Sequence, residues 1–184
     1  MAVHKDWRDF TKNLAACLGE LAEDEYLIIS RKRANQYVQF AGQGAYGIRA
    51  EAECNEYILP PELLLDERQY AGMQRLGWRR PTALPDEPCA LGSPNFYTQV
   101  VATEVGLREM ARRATQTFRT VYDIAHPGML EYKAFHYERT SIRFPTLLIK
   151  RRMPEPVAPR ILRSPKESDD LERDFGSDSE LGFD

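Results

Sequence analysis

Cysteine, histidine and long apolar runs are scarce in this sequence, and each scarcity argues against a class of protein. The three cysteines, Cys17, Cys54 and Cys89, are odd in number, widely spaced and without histidine at ligand spacing, which supports neither a disulfide framework nor a zinc site. No segment approaches the length of about 20 apolar residues that a membrane helix needs, and residues 1–6 lack the apolar run of a signal peptide. We therefore expect a cytoplasmic protein with no membrane partner, no metal and no other cofactor.

A strong excess of charge is also missing from most of the chain. The net charge is −3, but residues 153–184 hold nine acidic residues against four basic ones, which leaves +2 on the first 152 residues. A body this close to neutral offers little electrostatic attraction for phosphates, so we expect no nucleic-acid partner.

The composition changes abruptly after residue 152. Four prolines, at positions 154, 156, 159 and 165, lead into a stretch dominated by acidic residues and serine. Such a segment cannot bury enough apolar surface to offset the entropy lost on ordering. We therefore predict one domain over residues 1–152, which is long enough for one ordinary core, and an acidic disordered tail over residues 153–184. The tail carries four isolated apolar residues: Leu171, Phe175, Leu181 and Phe183.

Apolar periodicity and capping residues predict three helices. They cover residues 6–22 with Asp6 as N-cap, residues 66–77 with Asp66 as N-cap and Gly77 as the stop, and residues 103–126 with a start near Thr103 and an end at His126-Pro-Gly128. The first helix gathers its apolar side chains on one face, so it must pack on something. A sheet is the expected support.

Short apolar runs between turn signals predict that sheet. Residues 26–30, 36–41 and 46–54 form an antiparallel meander, and residues 95–101 form a fourth strand. Residues 129–137 and 146–150 have extended character, but Pro145 interrupts the pattern and leaves their pairing open. The predicted fold class is α+β: an antiparallel sheet of three to five strands packed by the N-terminal helix and two further helices.

No catalytic motif is present. The histidines His4, His126 and His136 are the obvious bases, yet none lies in a recognisable motif, and His126 fits a capping role before Pro-Gly. The Gly42-Gln-Gly44 run lacks the Lys-Ser/Thr of a phosphate loop and predicts a hairpin turn. We expect a protein that is not an enzyme. The remaining alternative is a polar pocket that gathers His136 with a carboxylate or a cysteine.

One face of the predicted sheet is a candidate binding surface. In residues 46–54, Arg49, Glu51 and Glu53 alternate with small apolar residues and should point outward. Such a row is most often the solvated side of a half-buried sheet, and it also suits docking of an extended peptide. The candidate partner-binding residues are Tyr37, Gln39, Arg49, Glu51, Glu53 and Trp78. Trp78 fits core packing after the helix stop equally well, and the direction of Tyr37 depends on strand register.

The order helix, three-stranded meander, helix, strand, helix resembles the secretion-chaperone and YbjN-like class of α+β domains. Four motifs resemble the TY-Chap domains of actinobacterial proteins, in the order of that family: Tyr37-Val-Gln-Phe40, Ile48-Arg-Ala-Glu-Ala52, Leu76-Gly-Trp78 and Pro94-Asn-Phe96. The resemblance covers residues 7 to about 137. It implies a non-enzymatic, peptide-binding fold similar to type III secretion chaperones, with a protein or peptide client that it does not name and with a homodimer as an expectation.

Three hypotheses for function remain. In the first, the chain is a chaperone or adaptor that holds a segment of another protein. In the second, it is a regulatory scaffold that acts through its tail, with the four apolar tail residues as a linear motif and with phosphorylation sites at Ser164, Ser168, Ser177 and Ser179. In the third, the tail occupies the domain's own groove and competes with the client.

Overall fold

The computed structural model describes residues 6–82, 92–138 and 140–152. The predicted tail, residues 153–184, lies outside the described residues together with its candidate motif Leu171, Phe175, Leu181 and Phe183. The domain boundary and the tail therefore stay predictions.

The first helix, α1 (Trp7–Gly19), starts where the capping residue predicts. The Asp6 carboxylate accepts hydrogen bonds from the backbone N–H groups of Arg8 and Asp9, both at 2.9 Å. These bonds satisfy two donors that have no partner inside the helix. The helix buries one stripe of side chains, formed by Phe10, Leu14, Cys17 and Leu18.

The second helix, α2 (Glu67–Arg75), has a local capping motif at each end. The Asp66 side chain accepts from the Gln69 backbone N–H at 2.7 Å, and the Gln69 side chain accepts from the Asp66 N–H at 2.9 Å. This reciprocal pair is a capping box. The helix stops at Gly77, whose φ of 88° is a left-handed conformation that suits glycine.

The third helix, α3 (Glu104–Gln116), begins after Thr103 and continues as a π-helical turn, Thr117–Val121. It is therefore shorter than predicted. His126 does not cap its end. Its Nδ1 accepts from the Gly128 N–H at 2.9 Å and caps the 3₁₀ turn Pro127–Met129 instead.

The sheet has six strands in the described residues, one more than the upper bound predicted. They are β1 (Glu25–Arg31), β2 (Tyr37–Gly42), β3 (Ile48–Ala52), β4 (Phe96–Val100), β5 (Leu130–His136) and β6 (Lys150–Arg151), in the spatial order β4-β3-β2-β1-β5-β6. All neighbours are antiparallel except β5 and β6, which are parallel. The α+β class is confirmed. The sixth strand has only two residues and follows a 3₁₀ turn that begins at Pro145.

Strand alternation gives the sheet two different faces. One face is buried and forms the core with α1 and α3, including Leu27, Ile29, Val38, Phe40, Ile48, Ala50, Ala52, Phe96 and Leu130. Helix α1 meets the π-helical turn after α3 through Phe10 and Phe118, whose ring centroids are 6.4 Å apart. None of the helices in the described residues is both long and apolar enough to cross a membrane.

Candidate functional site

The side chains that point away from the core form a surface that we call the open face. The strand register aligns them in two rows across five strands: Gln99, Arg49, Ala41, Tyr26 and Phe135 in one row, and Tyr97, Glu51, Gln39, Ile28 and Lys133 in the next. All ten are partly or fully exposed. Because neighbouring strands lie about 4.8 Å apart, each row is about 19 Å wide.

The part of the open face on β1 and β5 is aromatic. Tyr26 and Phe135 are direct cross-strand neighbours, and their rings stack with centroids 5.4 Å apart and planes 19° apart. The Lys133 ammonium lies 5.0 Å from the centroid of the Phe135 ring. Ile28 is the neighbour of Lys133 on β1. These four side chains combine an apolar patch with an exposed cation.

The part of the open face on β2, β3 and β4 is polar and well ordered. Arg49 donates to Glu51 Oε1 through Nη2 at 2.9 Å and Nε at 3.1 Å, and Gln39 Nε2 donates to Glu51 Oε2 at 3.1 Å. The Arg49 guanidinium also lies 5.0 Å from the centroid of the Tyr97 ring. The structure thus brings together Gln39, Arg49 and Glu51, three of the candidate residues from the sequence.

Tyr37, the fourth candidate, also points to the open face, at the end covered by residues Ser93 to Asn95. Asn95 Nδ2 donates to the Tyr37 hydroxyl at 3.1 Å, and the Ser93 hydroxyl donates to Glu51 Oε1 at 3.3 Å. Both Ser93 and Asn95 are buried. This end of the face is therefore closed by a segment that comes 42 residues after Glu51 and 58 residues after Tyr37, counted along these two bonds.

Glu53, the fifth candidate, does not stand in solvent as the alternation predicts. It follows β3 with outward parity, but it is only 2% exposed, because Tyr37 and the Ser93 to Asn95 segment lie over this end of the face. Its Oε2 atom and the Oδ1 atom of Asn95 are buried without a hydrogen-bond partner in the described part of the chain.

Burial without a partner changes the chemistry of this end of the face. Desolvation raises the pKa of Glu53 to about 8, so the neutral carboxyl is favoured at neutral pH. Desolvation, followed by the nearby Glu53 charge, raises the pKa of Tyr37 to about 12. Both groups are therefore uncharged under ordinary conditions, and the open face has a neutral boundary on this side.

Trp78, the sixth candidate, lies in the core. It is 3% exposed, and its indole Nε1 donates to the Thr117 hydroxyl at 2.8 Å. Of the two roles considered from the sequence, the structure places it in the packing role. The left-handed Gly77 turns the chain back towards the core, and the next residue, Trp78, packs there.

The aromatic part of the open face was missed by the sequence analysis. Tyr26, Ile28, Lys133 and Phe135 belong to β1 and β5, whose pairing was not predicted. A signal does exist: exposed or half-buried Glu131, Lys133 and Phe135 alternate with buried residues along β5. That alternation shows that β5 has one buried and one exposed face, but it does not identify the strand with which β5 pairs.

Among the described residues, Cys54 and His136 make hydrogen bonds that fit a structural role. Burial raises the pKa of the Cys54 thiol, which also donates to the Pro94 carbonyl at 3.1 Å, and a protonated thiol is a poor nucleophile. His136 Nδ1 accepts from the Glu138 N–H at 3.3 Å, next to the Glu138 carboxylate. Within the described ranges, no group of three His, Cys, Asp or Glu side chains is placed to hold a metal ion.

The chain matches a model of a known protein family. A family model described as TY-Chap3, T3SS (YopN, CesT) and YbjN peptide-binding chaperone 3, matches residues 1–136 of the chain. The matched segment contains every residue of the open face named above. Comparisons with curated proteins and with solved structures gave no match.

Proposed function

The chain belongs to the TY-Chap3 family of peptide-binding chaperones, and we propose that it is a non-enzymatic chaperone or adaptor that holds a segment of another protein on the open face. The observation that carries this proposal is the pairing of an apolar aromatic patch with an ordered polar network on one exposed sheet face. A client segment would cover the patch and meet the polar groups at its border.

The dimensions of the open face limit what it can hold. A width of about 19 Å accommodates about six residues of extended chain or about 13 residues of helix crossing the strands. Tyr26, Ile28 and Phe135 form one apolar patch on β1 and β5, whereas the Tyr97 ring lies apart on β4 beside the Arg49 guanidinium; all four are half-buried. A client with one or two large apolar side chains would therefore suffice to cover the patch.

The polar network favours specificity over affinity. Both oxygens of Glu51 already have donors in the free protein, so a client that displaces Arg49 or Gln39 must replace those bonds. The apolar patch has no such requirement, and its burial supplies the favourable free energy. We therefore expect Tyr26 and Phe135 to dominate affinity, with Arg49 and Glu51 selecting among clients.

The test begins by finding the client. A photo-crosslinking residue is placed at Ile28, in the centre of the open face, and a second one at the exposed Arg119, which follows α3. A protein crosslinked from Ile28 but not from Arg119 is the client candidate, and a peptide of its crosslinked segment is then titrated against variants of the full chain.

Tyr26→Ala should weaken binding of that peptide by about tenfold, since aromatic truncation at an interface centre commonly costs over 1 kcal/mol. Tyr46→Ala is the matched control, because Tyr46 is 78% exposed and lies in the turn between β2 and β3. Lys133→Glu is a second face variant that leaves the aromatic stack in place. Equal affinity for wild type and both face variants would remove the open face as the binding site.

Truncation after Arg152 separates this proposal from the scaffold hypothesis. A chaperone that uses the open face keeps its client, whereas a scaffold that works through residues 153–184 loses its partner. If those residues compete for the face, truncation tightens client binding. The homodimer and the cytoplasmic location expected from the sequence stay predictions, and sedimentation velocity of the full chain tests the first.

A further inference from the structure

A groove runs between α1 and α3 on the exposed surface of the two helices. Its volume is about 520 Å³, and its lining consists of Arg8, Thr11, Lys12, Ala15, Arg108 and Arg112. We call it the helix groove. The groove is open to solvent along its length, so it suits a segment of another protein better than an enclosed small molecule.

The helix groove has a fixed shape. The Thr11 hydroxyl donates to the Thr115 hydroxyl at 2.9 Å, which ties α1 to α3 beside the groove. In the core, Phe10 of α1 and Phe118 of the π-helical turn after α3 pack edge to face, with an angle of 74° between their planes, and both are fully buried. The two helices cannot close the groove without disturbing this packing.

The charge of the helix groove is one-sided. Four of its six lining residues are cations and none is an acid. Arg8 and Lys12 are four residues apart on α1, as are Arg108 and Arg112 on α3, and like charges at this spacing destabilise a helix. A solvated surface without a role normally intersperses the two signs.

The carboxylates of the same two helices lie outside the groove lining. Asp6 caps α1, and Glu109 is paired with Arg113. Arg108 is paired with Glu104, but the two side chains are 71% and 75% exposed, so the pair is weak. In the described ranges, the side chains of Arg8, Lys12 and Arg112 form no ion pair. Among those residues, these three cations therefore have no carboxylate partner to displace before a ligand binds.

We propose that the helix groove is a second docking surface, separate from the open face, and that it binds an acidic segment of a partner protein. The carboxylates of that segment meet the four cations, and a small apolar side chain between them rests on Ala15 and the carbon chains of the arginines. This occupant fits better than nucleic acid, because the lining has no aromatic ring on which a base can stack.

The probe for this proposal is a fluorescein-labelled peptide that alternates glutamate with leucine, titrated against the full chain by fluorescence anisotropy. A peptide with glutamine in place of every glutamate is the neutral control. The acidic peptide should bind and the neutral one should not, and the affinity should fall as salt is raised. Equal binding of the two peptides would overturn the proposal.

Charge variants locate the binding. Arg112→Glu should weaken binding of the acidic peptide by roughly 3- to 10-fold, and adding Lys12→Glu should weaken it further. Arg119→Glu makes the same charge change on an exposed side chain outside the groove and should bind like wild type. Lys133→Glu makes the change on the open face, so a loss in this variant without a loss in Arg112→Glu would place the acidic peptide there and overturn the proposal. An equal loss in all variants would show nonspecific charge attraction and overturn it as well.

Folding is monitored for each variant by circular dichroism and thermal unfolding. Arg112→Glu removes a like charge beside Arg108 but places a carboxylate three residues after Glu109 on α3, so its unfolding midpoint should change little. If this variant does not fold, the neutral Arg112→Gln replaces it, and unchanged peptide affinity in that variant would refute the groove as the site.

Other occupants give different results with the same variants. Two phosphate-bearing probes are tested: a single-stranded oligonucleotide and vesicles that contain phosphatidylserine. If either binds more tightly than the peptide and loses binding in Arg112→Glu, the groove is reassigned to phosphate-bearing partners. Self-association in sedimentation velocity that Arg112→Glu abolishes, without peptide binding, would reassign it to a second copy of the chain. The proposal survives if only the acidic peptide depends on the groove. Because Lys133→Glu tests the open face separately, failure here leaves the proposed client site untouched.

Discussion

Replacing Glu53 with glutamine should change how the stability of this domain depends on pH. Glu53 is a carboxyl that is 2% exposed and has a buried Oε2 atom without a hydrogen-bond partner in the described residues. Glutamine has almost the same shape but cannot ionise. The substitution therefore removes the cost of a buried charge while the surrounding packing stays nearly the same.

The size of the effect follows from the pKa of Glu53, which burial raises from 4.5 to about 8 in the folded protein. Between these two values the folded state holds a proton that the unfolded state has released. Stability is therefore highest below about pH 4.5, falls as the pH rises through this window, and levels off above about pH 8. At 1.36 kcal/mol per pKa unit, wild type should lose at most about 3.5 kcal/mol between about pH 5 and about pH 8 through this group.

Urea unfolding at the two pH values measures the effect, with the fluorescence of the two tryptophans, Trp7 and the buried Trp78, as the reporter. The stability of Glu53→Gln relative to wild type should rise by up to about 3.5 kcal/mol from the lower to the higher pH. Glu51→Gln is the matched control, because Glu51 is on the same strand but is partnered by Arg49 and Gln39. Glu51→Gln should be less stable than wild type by roughly 0.2 to 1 kcal/mol, and its stability relative to wild type should not rise comparably with pH. A difference in unfolding free energy between Glu53→Gln and wild type that stays the same at both pH values would refute the reasoning.

Two further substitutions test the fold. Gly47→Ala should lower the free energy of unfolding in urea by about 1 to 3 kcal/mol, since φ is 88° and the added Cβ would lie 2.1 Å from the Val100 carbonyl oxygen. Gly19→Ala is the control and should not be destabilised, because its Cβ meets an ordinary contact at 3.5 Å. Equal losses of stability in the two variants would contradict the backbone argument. Trp78→Phe should lose about 1 to 3 kcal/mol in the same assay because it removes the bond to Thr117, and no change in the unfolding midpoint would show that this bond contributes nothing.

Features that depend on neighbours in sequence were predictable. Asp6 and Asp66 each cap a helix through bonds to residues two or three positions ahead, and alternation along β3 correctly separates Ile48, Ala50 and Ala52 from Arg49 and Glu51. Capping and alternation involve only a few consecutive residues, so the sequence pattern contains them fully.

Features that depend on distant pairing were not predictable. β5 lies beside β1 with about 100 residues between them in the chain, and nothing in either segment identifies the other. β6 has two residues and depends on β5 for its hydrogen bonds. The aromatic stack of Tyr26 on Phe135 is a product of that long-range pairing, which is why the sequence located only the polar part of the open face.

Glu53 shows the same limit for burial. Its position in the alternation is outward, and the local rule for an outward glutamate is exposure to water. The rule fails because Ser93 and Asn95, about 40 residues later, close that end of the face. The pKa shift and the pH dependence argued above arise from this tertiary contact, and no local pattern encodes them.

The two proposed binding surfaces belong to different layers of the domain. The open face is the outer side of the sheet, whereas the helix groove is lined by exposed side chains of α1 and α3, which pack on the inner side. The core lies between them, so variants of the two surfaces share no contacts and their effects on binding should add in free energy. A single client that carries both an apolar and an acidic segment would gain affinity from its linker, since the second contact becomes intramolecular. Cutting that client between the two segments would then weaken binding by far more than tenfold, whereas two independent clients would each bind the full chain unaffected by the other.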